Sequence, residues 1–402
     1  MTASAEVETK TFPARGGAST PAESGRLPLG ALMALSAAGF ITLMTEVMPA
    51  GLLLPMGASL GTSPSMTGQL VTVYAAGSLL TAIPLTALTQ DLGRRLLLTV
   101  AVGGFAIVNT ITAISDNFIL TLVARFFAGA FGGLVWALLV GYAIRLSPPH
   151  LAGRAIALTG LGAPLAFSFG VPAGAFIGSV IGWRLAFGLM SLVALGLAAW
   201  IMARLPELPG ERGGGRLSPA KVLAMPGLAA VLASLFAFVT AHNVLYTYIA
   251  PFLGLSGLGG RVDLVLLAFG LAGLAGLWLA GAYVDRALRP MLLASTALLM
   301  LAALVASFGA MTAGIVLATI VAWGVIVGAA PTLYQTATAK AAGDAGDVAQ
   351  AMLVTTWNLA VAVGGGMGGY ALSSFGPAAL PVVTAVLAAV ALVLALRARA
   401  DR

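Results

Sequence analysis

The sequence predicts an all-α polytopic membrane protein, with twelve transmembrane helices in two pseudo-symmetric six-helix bundles. The chain of 402 residues is 60% hydrophobic and only 8% charged, against about 25% charged in a soluble domain. Its apolar residues fall in long continuous runs, and a bilayer-crossing helix needs about 20 such residues. A β-barrel would instead alternate polar and apolar residues over strands of about 10. The sequence has no cysteine, so disulfide and thiol chemistry are excluded. Its two histidines, far apart, give no metal site.

Residues 1–28 hold Glu6, Glu8 and Glu23 and no apolar core, and read as a disordered cytoplasmic tail rather than a signal peptide. Breaks at charges, Pro and Gly then place spans near 29–55, 66–88, 96–115, 118–144, 155–181 and 185–204. A second set falls near 226–253, 263–284, 291–311, 313–338, 348–374 and 377–396. The weakest break is between spans 9 and 10, where only Met311 to Gly314 suggests a turn. The N-terminal bundle is therefore expected over 29–204, a linker over 205–225, the C-terminal bundle over 226–396 and a cytoplasmic tail over 397–402. The linker's Pro206–Lys221 stretch, rich in Pro, Gly and charge, reads as flexible.

Twelve crossings put both termini on one side. Seventeen of the 20 Lys and Arg residues lie on that side, Arg184 and Arg261 lie in the opposite loops, and Arg125 lies within span 4. The asymmetry predicts cytoplasmic termini. It also accounts for the net charge of +7 without a nucleic-acid partner.

The two halves align at an offset of about 195 residues. Glu46 precedes Pro55 by the same interval as His242 precedes Pro251. The stretch from Thr86 through Gln90, Asp91 and Gly93 to Arg94 falls on Gly281 through Asp285 and Arg286 to Arg289. Gly170 and Gly174 fall on Gly365 and Gly369. Duplicated halves place a substrate cavity between them at mid-membrane, a geometry suited to alternating access.

Glu46 is the one acid placed inside an apolar run, and Arg125 is the one base. An ionisable group there costs roughly 3 kcal/mol or more unless paired, protonated or hydrated, and reads first as functional. Counted at 1.5 Å per residue, Glu46 lies roughly 14 Å and Arg125 roughly 10 Å from the far ends of their spans. The two are therefore expected to face each other. Burial favours the neutral acid and a nearby guanidinium favours the carboxylate, so a change in spacing or water access would switch the carboxyl. A permanent structural ion pair is the alternative. His242, Asn243, Tyr246, Tyr248, Gln335 and Asn358 are the polar candidates for the substrate cavity, each also suited to ordinary helix packing. Trp357 is a further aromatic candidate. The run Gly364–Gly369 is not a phosphate loop, because no Lys-Ser/Thr follows it.

Several motifs in order carry a family resemblance over about residues 30–396. Span 1 carries Thr45-Glu46-Val-Met-Pro49-Ala-Gly51, and the loop after span 2 carries Gly93-Arg94-Arg95. Span 4 carries Arg125-Phe-Phe-Ala-Gly129, and span 5 carries Gly170-Val-Pro172-Ala-Gly174 followed by Gly182-Trp183-Arg184. Span 7 carries Tyr246-Thr-Tyr-Ile-Ala-Pro251. The chain resembles transporters of the major facilitator superfamily, within them the twelve-span drug:proton antiporters, and most of all the sugar-, arabinose- and chloramphenicol-efflux proteins. The resemblance implies the major facilitator fold and a role for Arg125 in proton transfer. It implies an antiporter motif at Gly170, Pro172 and Gly174. It also implies gating loops at Asp91, Gly93, Arg94 and Arg95 and at Gly281, Asp285, Arg286 and Arg289, which lock one face through Asp–Arg pairs. The first loop departs from the family pattern: Thr86 replaces Gly, Gln90 replaces Asp and Asp91 replaces the following Arg.

The function expected is proton-coupled efflux of small neutral or amphipathic molecules such as drugs, sugars or nucleosides. The cell is expected to be bacterial and the membrane its inner membrane. An uptake symporter or facilitator of the same fold is the alternative, and a non-transporting membrane sensor a more remote one. No paired carboxylates, nucleophile–His arrangement or nucleotide loop supports an enzyme, and no cofactor is expected. Protons, a small-molecule substrate and membrane lipids are the expected partners, with the chain acting as a monomer.

Overall fold

The computed structural model describes residues 26–89, 91–210 and 219–397. The greater part of the N-terminal tail (1–25), Gln90, the linker segment 211–218 and the C-terminal residues 398–402 lie outside the described residues, as does the side chain of Thr86. Every long element among the described residues is helical, and the crossings follow in order. Span 1 is Leu29–Gly51 with a continuation Leu53–Leu60, span 2 is Pro64–Leu88, span 3 is Arg94–Ile114 and span 4 is Phe118–Leu146. Span 5 is assembled from Ala152–Gly160, Gly162–Leu165, Ala166–Gly170 and Val171–Val180, and span 6 is Trp183–Arg204. Span 7 is Leu228–Tyr246 with Ile249–Gly254, spans 8 and 9 lie in Val262–Gly309, and spans 10, 11 and 12 are Ala313–Ala342, Gly346–Phe375 and Ala379–Arg397.

Among the described residues, ten segments are long and apolar enough to cross a membrane. One of them, Gly259–Gly309, holds two crossings, and the twelfth crossing is Pro64–Leu88. Span 2 carries Ser65, Thr67, Gln69, Thr72 and Ser78, of which Ser65, Gln69 and Thr72 face the other half. Local chemistry sets the helix starts. Ser63 caps span 2 by accepting a bond from the Met66 amide, with Pro64 in the first turn, and Asn117 caps span 4 through the Leu120 amide.

Two boundaries in the C-terminal half fall where the sequence reading placed them. The turn at 310–312, the weaker expectation, separates spans 9 and 10. The charged, Pro-containing stretch Arg286–Pro290 separates spans 8 and 9 as expected: the backbone leaves helical geometry at Ala287 (φ −137°, ψ 29°) and divides Val262–Gly309 into two helices. Pro290 lacks an amide hydrogen and its ring crowds the carbonyl of Arg286 four residues earlier, so the helix breaks next to these residues.

The internal repeat is visible in the backbone. Span 1 breaks after Gly51 and span 7 after Tyr246, the same offset of 195 residues. Gly129 of span 4 lies against the Tyr74 carbonyl of span 2, and Gly324 of span 10 lies against the Phe269 carbonyl of span 8. Both pairs are again related by that offset. Lipid offers no hydrophobic drive between helices, so small residues that let backbones approach supply the packing.

The halves touch through spans 2 and 11 and through spans 5 and 8. Here the glycine run of span 11 faces two ways. Gly364 and Gly368 pack on Asn243, Thr240 and Tyr248 of span 7, whereas Gly365 and Gly369 pack on Thr72 and Gln69 of span 2. The spacing of four residues puts each pair on one helix face.

Span 5 departs from its repeat partner, since span 11 is one continuous helix. At Ala166–Gly170 span 5 winds into a π-turn immediately before Pro172. The proline removes a donor to the Ser168 carbonyl, and the wider turn relieves the clash. The counterpart in span 11 near Met367 carries no such demand. An uninterrupted α-helix would overshoot two turns by about 80° over the eight residues from Gly162 to Gly170. The π-turn absorbs the excess, and Gly162, Gly170, Gly174 and Gly178 all pack on span 1, against Ser36, Met44, Met48 and Leu52 respectively.

Candidate functional site

Two buried polar clusters occupy the interior. The first joins spans 1, 2, 3 and 4. Arg125 is fully buried and Glu46 is 8% exposed. The guanidinium of Arg125 donates to the peptide carbonyl of Glu46 (Nη2, 3.0 Å) and to that of Leu70 (Nε, 3.4 Å), and it lies over the Tyr74 ring at 4.9 Å. Among the described residues no ion pair joins it to the Glu46 carboxylate, and Arg125 Nη1 has no partner. Depth along the spans thus brought the two residues together, but the bond goes to the backbone. Tyr74 reaches the Thr42 carbonyl at 3.4 Å, and Asn109 of span 3 donates to the Thr45 hydroxyl at 3.1 Å while its own carbonyl oxygen stays without a partner. Tyr74 and Asn109 were not singled out from sequence, although an amide in the apolar span 3 is itself a signal.

The second cluster is aromatic and lies where span 7 meets spans 8 and 10. His242 and Tyr246, one turn apart, share a face, with ring centroids 5.1 Å apart. Phe269 of span 8 lies 6.2 Å from the His242 ring and nearly parallel to it, at 9°. Trp323 of span 10 lies 5.3 Å from His242 and 4.8 Å from Phe269. Phe167 reaches in from span 5 of the other half to Tyr246 at 5.7 Å. His242 Nδ1 and Trp323 Nε1 are buried without a hydrogen-bond partner. Phe167, Phe269 and Trp323 are residues that sequence reasoning missed. Phe269 sits in its half where Tyr74 sits in the other, which the repeat makes legible once the spans are aligned.

The remaining cavity candidates are spread more widely. Asn243 donates to the Val239 carbonyl and Asn358 to the Val354 carbonyl, each within its own helix. Gln335 is exposed and its carbonyl accepts from Gln350 of span 11, whereas the neighbouring Tyr334 points inward to Ser234. Trp357 is half-buried. Tyr248 is fully buried away from the aromatic cluster, in the contact between halves. Its hydroxyl donates to the Gly365 carbonyl at 2.8 Å and accepts from Gln69 Nε2 at 3.1 Å. Ser65 donates to the Gly369 carbonyl at 2.7 Å, and Ser168 to the Gly270 carbonyl at 2.8 Å. The Gln69, Ser65 and Ser168 bonds join the halves toward the face opposite the termini, which we call the far face.

The two loops expected to gate lie at the terminal face. Arg95 is held by Glu207, which follows span 6: its Nε donates to the carboxylate at 3.3 Å and its amide at 3.1 Å. A side chain at Gly93 would collide with that carboxylate. The Arg94 amide donates to the Leu208 carbonyl, Tyr142 to the Pro206 carbonyl at 2.6 Å, and Arg145 to the Pro209 carbonyl at 2.9 Å. The start of the linker, expected to be flexible, is therefore strapped to spans 3 and 4. Glu207 is the carboxylate that sequence reasoning overlooked. Asp91 is exposed. In the second loop Asp285, Arg286 and Arg289 line a surface cleft of about 590 Å³ with Lys340, and Gly281 faces open space. Of the antiporter motif, Gly170 and Gly174 pack on span 1, and Pro172 borders the π-turn.

Comparison with known proteins adds three findings. The sequence profile described as Major Facilitator Superfamily matches residues 35–352. The purine ribonucleoside efflux pump NepI of Escherichia coli (strain K12) is 28% identical over 340 residues, covering 83% of this chain and 85% of that one, and the Shigella flexneri protein of that name matches equally. Among solved structures, a bacterial homologue of the human lysosomal transporter Spinster, inward-facing and occupied, superposes with a TM-score of 0.67 at 16% identity, over 94% of this chain and 95% of that one. The human organic anion transporter MFSD10 (TETRAN) does so with a TM-score of 0.64 at 18% identity, over 92% and 97%.

Proposed function

The chain belongs to the Major Facilitator Superfamily, and on that premise we propose that it is a proton-coupled efflux transporter of small neutral molecules, purine ribonucleosides among them. It works by alternating access in a bacterial inner membrane, as a monomer with cytoplasmic termini. The observation that carries the reading is the buried cluster of Glu46 and Arg125. The guanidinium binds the Glu46 peptide carbonyl, which leaves the carboxyl outside a fixed ion pair. Such a carboxyl can alternate between the neutral acid and an anion facing a nearby positive charge, and that alternation is what a proton-driven cycle requires. The bonds between spans 2, 7 and 11 and between spans 5 and 8 give the cycle a far-face closure to make and break. The efflux pump NepI at 28% identity supports the direction of transport and the nucleoside class. The basic residues on the terminal side support the orientation.

The test is transport of radiolabelled inosine by proteoliposomes under an imposed pH gradient, with Glu46→Gln beside the parent. Gradient-driven movement is expected to fall at least about tenfold in the variant, as for loss of an essential proton carrier. Inosine counterflow without a gradient is expected to persist. Gradient-driven transport unchanged in Glu46→Gln overturns the proton-coupling role.

A further inference from the structure

His242, Tyr246, Phe269 and Trp323 are more than a packed corner. All four rings lie within 6.2 Å of one another by centroid. The cluster holds two buried polar atoms with no partner, His242 Nδ1 and Trp323 Nε1. His242 is 5% exposed and Trp323 is 3% exposed. A buried polar atom left unpaired costs about 1–3 kcal/mol, and native interiors leave few of them. Two in one aromatic cluster mark a place where something else supplies the bonds.

We propose that these four rings form a stacking site for the base of a purine, with His242 Nδ1 and Trp323 Nε1 reading its edge and Phe167 of the opposite half as a removable wall. The proposal rests on the export reading for the direction in which the site is used. The chemistry narrows the ligand. Trp323 Nε1–H only donates, so the ligand carries an acceptor; His242 Nδ1 takes either role according to its tautomer. A purine ring offers ring-nitrogen acceptors and edge donors. Its flat π-face suits an aromatic box, where stacking is worth about 1–3 kcal/mol per base. A sugar has hydroxyls but no such face. The His242 and Phe269 rings are near parallel with centroids 6.2 Å apart, short of the about 7 Å that a third ring between two faces needs, so the base is not held between these two faces and meets His242 and Trp323 with its edge. No Lys or Arg is among the five wall residues to compensate a phosphate, so a nucleoside or free base fits and a nucleotide does not.

The wall is removable because of where Phe167 stands. It is followed by Ser168, whose hydroxyl holds the Gly270 carbonyl across the halves. Gly270 is itself in backbone contact with Phe167, with no room for a side chain between them. Parting spans 5 and 8 takes Phe167 away from Tyr246 and Phe269 together. The box then loses one face as the far side opens, which favours release on that side.

Equilibrium binding to the full-length protein in nanodiscs tests this, with radiolabelled inosine and adenine as probes and ribose as competitor. Inosine and adenine are expected to compete for one site, and ribose to displace neither. Trp323→Phe keeps a ring and removes the N–H, and is expected to weaken both probes about fivefold or more, the loss of one hydrogen bond. His242→Leu is expected to do the same, and Trp323→Phe alone decides if His242→Leu fails to fold. The proposal is overturned if ribose displaces inosine while adenine does not, if neither base-bearing probe binds, or if the variants that fold bind both probes as the parent does. A parent that binds adenine with loss in Trp323→Phe yet transports neither probe keeps the box and refutes export. A parent that exports inosine, with binding undiminished in Trp323→Phe, keeps export and refutes the box.

Discussion

Replacing Tyr248 by Phe removes one hydroxyl from the contact between the halves, and the bonds around it fix how much that matters. The hydroxyl donates its single proton best to the Gly365 carbonyl at 2.8 Å, with Ser65 O a longer alternative at 3.3 Å. The Gly365 bond runs between spans 7 and 11 of the same half, so it cancels between a closed and an open far face. The bond from Gln69 Nε2 crosses the halves at 3.1 Å and is lost on opening. Gln69 is not orphaned by the substitution, because its amide also reaches the Ser65 carbonyl at 3.3 Å. One crossing hydrogen bond is worth about 0.5–1.5 kcal/mol net, so Tyr248→Phe raises the open population about 2- to 13-fold. Ser65→Ala removes a second crossing bond, to Gly369 O at 2.7 Å, and the double variant multiplies the effect where the sites act independently. The natural sequence has no cysteine, so a single Thr72→Cys beside Gly365 is a clean reporter. Its reaction with a maleimide in nanodiscs follows the open population when opening is fast. A double variant that labels no faster than Thr72→Cys alone refutes the role given to these bonds.

Two further outcomes follow from packing and charge. Gly328→Ala places a Cβ 2.6 Å from the Gly273 backbone carbon atoms; backbone cannot step aside, so spans 8 and 10 part at a cost of about 1–3 kcal/mol. Thermal melting of the purified protein should show the loss, with Gly314→Ala, which meets open space, unchanged. Glu207→Ala releases an ion pair whose partners are 38% and 42% exposed, so stability should fall by under about 1 kcal/mol. Limited trypsin cleavage after Arg204 should quicken by no more than about fivefold, because Tyr142 and Arg145 still hold the strap.

Much of the architecture is legible because lipid imposes it. Runs of apolar residues must be helical and long, and the repeat fixes their pairing. Glu46 and Arg125 come together from depth along two helices, but depth says nothing about rotamers, and the guanidinium turned to a peptide carbonyl. His242 and Tyr246 are four residues apart and visibly share a face. Phe269 and Trp323 join them only through tertiary convergence of three spans, which no local pattern encodes. Pro290 signals a break by the usual rule, and the backbone leaves the helix at Ala287, three residues before it. Tyr248 reads like a cavity residue because it neighbours Tyr246. The interruption of span 7 between Tyr246 and Ile249 sends it elsewhere.

The π-turn in span 5 makes the length of that helix a matter of indexing. It acts as one extra tooth on a gear, keeping Gly162 below it and Gly170, Gly174 and Gly178 above it meshed with span 1. Removing a single residue between Ala166 and Gly170 would turn the upper row about 100° away from span 1. It would also swing Phe167 and Ser168 out of register with span 8. Span 5 tolerates a change of residue far better than a change of count. Related chains that keep the proline at this position should therefore keep the spacing between these glycines as strictly as the glycines themselves.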